Sequence, residues 1–170
     1  MNHVPILLAA LLSLPALAAQ QPTLYGRYEL IELPELGQTL KAKMDTGAMT
    51  ASLSAKDIQR FERDGEDWVR FRLAVDGAEQ RVHEHPLVRI AEIKTRSEEL
   101  AGQPLKTAAA SQRPVIELPV CLGEEQRTIE VNLTDRSTFN YPLLIGASAL
   151  RDFGAAVNPA ERYTRERPQC

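Results

Sequence analysis

One stretch constrains this chain more than any other: Leu40-Lys41-Ala42-Lys43-Met44-Asp45-Thr46-Gly47-Ala48-Met49-Thr50-Ala51-Ser52-Leu53. Leu40, Ala42 and Met44 alternate with Lys41 and Lys43, the two-residue period of a half-buried strand. An acid, a hydroxyl and a glycine then stand in a row, and Thr50, Ser52 and Leu53 resume a β-favouring run. The pattern predicts strand, sharp loop, strand. A carboxyl on such a loop is costly to desolvate unless its charge is managed, which makes Asp45 a candidate functional acid. On those three residues alone, an ordinary turn whose Asp bonds its own backbone explains the loop equally well.

The rest of the chain reads as short strands between turns. Residues 24–33 predict a first strand and 34–37 a turn. Residues 55–62 suit either one helical turn or a continued strand. Asp64-Gly65 and Asp76-Gly77 between apolar runs are hairpin signals. Trp68, Phe71 and Leu73 lie on the strand between them, as core or dimer-facing residues. Residues 80–93 predict one long strand bent at Pro86, and 95–113 a surface loop rich in Ser, Glu, Gly and Ala. Strands at 114–122 and 127–133 flank a Gly123-Glu124-Glu125 turn, with Ile129, Val131 and Leu133 on one face. Residues 141–146 form a short apolar strand ending in Gly146, followed by a short helix at 147–153 and a last strand at 155–157. Many short strands with Asp-Gly turns argue an all-β barrel or sandwich.

Composition narrows the partners. The 170 residues suit one domain, and a net charge of −3 with no basic stripe argues against nucleic acid. Residues 1–19 carry an apolar run from Ile6 to Leu17 followed by small residues, the pattern of a secretory signal peptide, although the leading segment has His3 and no Lys or Arg. The run is too short to favour a membrane-spanning helix. The expectation is an exported domain at 20–170, periplasmic or secreted, with no stable membrane insertion once the signal is removed. Export permits a disulfide, but Cys121 falls in a predicted strand and Cys170 is the last residue, so the two are expected to be unpaired or to pair between molecules. His83 and His85 share one strand face; exposed hairpin residues are the favoured reading over a metal pair awaiting a third ligand. Asp135-Arg136 and Arg113 are expected mainly as structural ion-pair residues, with substrate contact the alternative.

Asp45-Thr46-Gly47-Ala48 followed about 100 residues later by Leu143-Leu144-Ile145-Gly146 and a short helix resembles the retropepsin-like aspartic proteases. A closer resemblance is to a bacterial group that carries the name ATP-dependent zinc protease and includes the RimB-like peptidases. It runs through Lys43-Met44-Asp45-Thr46-Gly47-Ala48, Phe61-Glu62-Arg63-Asp64-Gly65, Arg113-Pro114-Val115, Leu133-Thr134-Asp135-Arg136 and Tyr141-Pro142-Leu143-Leu144-Ile145-Gly146. Relatives place Arg after that last glycine; here it is Ala147. The resemblance implies a small closed β-barrel with a C-terminal helix, Asp45 as catalytic residue, and Thr46, Gly47, Ala48, Ile145 and Gly146 as support of its loop. It places a flap at the 68–90 hairpin, where His83 would touch substrate, with Tyr141 covering the cleft or stapling its strand. No G-x-x-x-x-G-K-[ST] or H-E-x-x-H is present, so neither ATP nor zinc is expected as cofactor. The chemistry of aspartic proteases is that of two carboxylates sharing one proton, because two like charges held so close do not both ionise. With a single Asp-Thr-Gly, the second carboxylate must come from another copy, so a homodimer is expected. The expected activity is hydrolysis of peptide or isopeptide-like bonds, since RimB-like relatives remove ligated glutamate tails. The alternative is a non-catalytic binding module on the same fold.

Overall fold

The computed structural model describes residues 21–93 and 111–170. The expected signal segment lies outside them, as does most of the expected 95–113 loop. Among the described residues the structure is all-β apart from one short α-helix and a 3-10 turn at Pro34–Leu36. Its strands are β1 (Thr23–Gly26), β2 (Tyr28–Leu33), β3 (Gln38–Asp45), β4 (Ala51–Arg63), β5 (Glu66–Leu73), β6 (His83–Pro86), β7 (Arg89–Ile93), β8 (Ser111–Leu122), β9 (Glu125–Thr134), β10 (Leu143–Gly146) and β11 (Ala155–Asn158), with helix α1 (Ala147–Asp152).

The hydrogen-bonded order β10-β3-β2-β8-β9-β4 closes on itself, because β4 also pairs with β10. Strand alternation fills the inside of this ring: Ile31, Leu33, Leu40, Ala42, Leu53, Ile116, Leu118, Val131, Leu133, Leu143 and Ile145 are all essentially buried. The hairpin of β5 and β6 extends from β4, and β7 covers β8. Asp64 and Gly65 both take positive φ, at 54° and 82°, as the two-residue turn between β4 and β5 requires.

Four expectations need correcting. Residues 24–33 are two strands, because β1 leaves the ring to pair with β11 while β2 stays in it. Gly26 sits at that break, where an added Cβ would lie 2.7 Å from the Arg162 backbone. Residues 80–93 likewise split: β6 pairs with β5 and β7 pairs with β8, and Leu87 N–H turns to the Asp67 carbonyl between them. Residues 111–113 belong to β8 rather than to a loop, held by β7. Finally, Cys121 and Cys170 form a disulfide, their Cα atoms 6.0 Å apart. The tail is not loose: Glu29, fully buried, accepts from Gly26 N–H, from Thr164 N–H and Oγ1 and from Arg165 N–H, and Gln169 N–H donates to the Gly123 carbonyl beside Cys121. For residues 55–62 the strand alternative holds, interrupted by a bulge between Lys56 and Gln59 with Asp57 at φ 54°.

Candidate active site

The Asp45 loop is the bend between β3 and β4, and β10 lies between these two strands, parallel to β3 and antiparallel to β4. Gly146 stands opposite Asp45 in the register. The loop is stitched to the end of β10 by Ala147 N–H to the Ala48 carbonyl (2.7 Å) and Ser148 N–H to the Met49 carbonyl (3.1 Å). These are backbone contacts, so Ala147 makes its bond whatever its side chain. Gly146 has no room for more than hydrogen: a Cβ there would meet the Thr50 backbone at 2.6 Å. Ile145 beside it is fully buried and anchors the strand in the core. These contacts bring Ala48, Ile145 and Gly146 together around Asp45.

Asp45 itself is partly exposed. Its Oδ1 accepts Gly47 N–H at 3.1 Å and its Oδ2 accepts Lys43 Nζ at 2.9 Å. Lys43 is two residues back on β3, on the same strand face. Burial pushes the Asp45 carboxyl up. The Lys43 hydrogen bond and charge, with the Gly47 and Ala48 amides, outweigh it and hold the carboxyl below its ordinary value. Asp45 is therefore an ionised, preoriented carboxylate at neutral pH. Thr46 and Gly47 are exposed in the single chain.

The structure does not bring His83 to this loop. His83 is buried, not exposed as its favoured reading had it, and stacks on Phe71 with ring centroids 5.6 Å apart. His85 also stacks on Phe71, and its Nδ1 lies 3.8 Å from the Glu35 carboxylate. Glu35 precedes β3, whereas Asp45 ends it, so the two are separated by a strand of eight residues, roughly 25 Å. Among the described residues, no three His, Cys, Asp or Glu stand together as a metal-holding group. Tyr141 leads into β10 and stacks on Tyr28 at 4.2 Å, and Tyr28 neighbours Lys43 across β2 and β3. Its ring thus staples β10 to β2 at the edge of the site.

Behind the loop lies a polar surface that strand alternation does not mark. Ser52 and Asn132 are buried on the outer face of the sheet, where alternation alone predicts exposure, and Arg136, just past β9, is buried beside them. The register explains this: Lys43, Leu144, Ser52 and Asn132 align across four strands on one face. Asn132 donates to Thr50 Oγ1 (3.1 Å) and the Ala51 carbonyl (2.7 Å), tying β9 to the Asp45 loop. The neighbours Asp135 and Arg136 do not form an ion pair: Asp135 accepts Ser137 N–H at 2.8 Å, while Arg136 turns inward. The sequence shows only two adjacent charged residues; their opposite burial becomes visible once the end of β9 is known.

Comparison with known proteins agrees with this geometry. The model of the family described as RimB-like, "Retropepsin-like aspartic endopeptidase RimB", matches residues 24–168. A crystal structure of a Legionella pneumophila protein of unknown function is 37% identical, covers 84% of this chain and 97% of its own, and superposes with a TM-score of 0.69. A Desulfotalea psychrophila protein named probable alpha-L-glutamate ligase is 32% identical over 75% of this chain. A Shewanella pealeana protein of the same name is 31% identical over 81% of it. The matches cover only 26% and 29% of those two relatives' lengths. With the Asp45 loop clasping β10 and a family match spanning nearly all the described residues, the chain belongs to the RimB-like family of retropepsin-like aspartic endopeptidases.

Proposed function

We propose that this protein is an exported aspartic peptidase that works as a homodimer. The observation that carries the reading is the Asp45 carboxylate, held by Gly47 N–H and Lys43 on an exposed loop locked to Gly146. One chain supplies one such carboxylate. In the proposed dimer, Asp45 and Asp45 of the partner subunit meet at the two-fold axis and share one proton, since close like charges do not both ionise. The ionised carboxylate removes a proton from a water molecule as the water oxygen attacks the scissile carbonyl carbon. The protonated carboxyl donates to the carbonyl oxygen. Proton transfer to the amide nitrogen then releases the amine as the C–N bond breaks. The exposed Thr46 and Met49 on the Asp45 loop supply surface that a second copy would cover.

Two further points support export and the substrate. The Cys121–Cys170 disulfide fits an oxidising compartment and the apolar leader at 6–17. Relatives named as probable glutamate ligases contain a segment like this chain, which favours a substrate bearing ligated glutamate. The test is hydrolysis of glutamate-extended peptides by wild type and Asp45→Asn. Wild-type cleavage with loss of at least about a thousandfold in the variant is expected, the scale set by removing one member of a catalytic unit. Unchanged turnover in Asp45→Asn overturns the assignment. Binding of the peptides by both proteins without cleavage by either would favour the binding-module alternative.

A further inference from the structure

Beside Asp45 the sheet carries two guanidinium groups without a carboxylate. Arg136 follows β9 and is only 8% exposed. Its Nε donates to the Tyr141 carbonyl (3.3 Å), its Nη1 reaches Ser52 Oγ (3.5 Å), and Phe139 lies 4.5 Å from the guanidinium. Arg113 on β8 donates from Nη1 to Asn132 Oδ1 (3.2 Å), and its Nε is buried with no partner among the described residues. Ser52 Oγ donates to the same Asn132 Oδ1 (3.0 Å). The chain Arg113–Asn132–Ser52–Arg136 thus crosses three strands and their following loop. Asn132 connects it through Thr50 to the Asp45 loop.

Among the described residues no carboxylate lies within 4.0 Å of either guanidinium. That arrangement is expensive for structure alone. A guanidinium taken out of water needs a counter-charge or a full set of acceptors, and each has five N–H donors. Burial lowers the proton affinity of both, their mutual repulsion lowers that of Arg136 further, and the Asp45 charge raises it. Arg136 is therefore close enough to feel both groups. Arg113 also borders an open cleft of about 380 Å³ with Arg60, Gln112, Thr134 and Asp135, so Arg113 is within reach of a ligand from solution, with Arg136 behind it through Asn132 and Ser52.

We propose that Arg113 and Arg136 form a carboxylate-binding subsite that selects an acidic side chain in the peptide bound at Asp45. Ser52 and Asn132 hold the two guanidinium groups in register, and Thr50 fixes the distance to the reacting loop. A carboxylate accepting from both would supply the missing counter-charge, and charge-assisted hydrogen bonds of this kind are the strong class. The assignment rests on Asp45 as the reacting centre only for its position, not for its chemistry.

The test uses the full chain carrying Asp45→Asn, so that bound peptide stays intact. Titration calorimetry compares a triglutamate peptide with triglutamine. The acidic peptide is expected to bind about tenfold or more tightly, with the advantage shrinking as salt is added. Arg113→Gln and Arg136→Gln are each expected to bring the two affinities within about twofold of each other. Equal affinity of the two peptides for the Asp45→Asn protein overturns the proposal, and this comparison needs no change at either arginine. Arginine variants that weaken both peptides equally also overturn it, because they mark a purely structural pair. Discrimination that survives where wild type cleaves neither peptide would sink the peptidase reading and leave the subsite standing.

Discussion

At the scale of single residues, the Lys43–Asp45 pair sets the character of the site. A strand places residues two apart on one face, so the lysine that looks like the polar half of an alternating pattern is also the nearest counter-charge to the acid. The pair is partly exposed, so its contribution to stability is small; its effect is on ionisation. Lys43→Met removes two of the influences that lower the Asp45 carboxyl and leaves burial, which raises it. The acid limb of the kcat/KM profile is therefore expected to move to higher pH in Lys43→Met. A profile that stays in place would mean that Lys43 does not govern the reacting carboxylate in the working enzyme. Gly146 shows the other side of residue-scale reasoning. Its place at the end of an apolar run marks it in the sequence, but its reason, a backbone 2.6 Å from any Cβ, is a tertiary contact.

At the scale of elements, the β3–loop–β4 unit and β10 form one device made from segments about 100 residues apart. Each was legible separately: Leu40, Ala42 and Met44 alternate, and Leu143, Leu144 and Ile145 form an apolar run bounded by glycine. The strands that did not separate in the sequence, at 24–33 and 80–93, fail for one reason. Propensity reports that a segment is extended but not which partner it pairs with, and at Arg27 and at Leu87 and Val88 the partner changes. The C-terminal tail hides its packing for the same reason. Its residues are polar, and only the buried Glu29 explains why they pack. Closing a loop of 49 residues, the Cys121–Cys170 bond is expected to stabilise the fold by about 2–4 kcal/mol. Cys170→Ser should lower the denaturation midpoint accordingly under oxidising conditions and match the wild type measured with reductant. An unchanged midpoint would show that Glu29 alone secures the tail.

At the scale of the whole molecule, two quantities remain to be measured. One is assembly. The two-carboxylate mechanism needs a dimer, so sedimentation at activity concentrations is expected to show twice the monomer mass; a monomer that retains activity overturns the shared-proton scheme. The other is the dependence of stability on pH. Burial lowers His83, with Arg81 and His85 adding to it against Glu79; burial also lowers His85, against Glu35. A histidine whose folded pKa lies below its unfolded 6.5 binds fewer protons when folded. Its contribution is complete above that value and is lost as pH falls below it. Melting temperature should therefore fall between about pH 7 and 5, and less steeply in a His83→Asn, His85→Asn double variant. Parallel curves for the two proteins would assign the decline to other groups.

The sequence by itself determined the all-β character, the core stripe of most strands, both Asp-Gly turns, the acid at the loop and its glycine-ended companion strand. These follow from local preferences: alternation, the positive φ that turns demand, and apolar runs too short for anything but strands. Tertiary structure alone decided that β10 lies inside the bend of β3 and β4, that Cys121 meets Cys170, that His83 packs on Phe71 at the far end, and that Arg113 and Arg136 converge behind Asp45. Each joins residues distant in the chain, and their proximity depends on register and ring closure, which no local window of sequence encodes. The Asp45 loop was readable as an acid on a turn. Its lysine, its glycine wall and the cationic surface beside it became one site only when the ring closed.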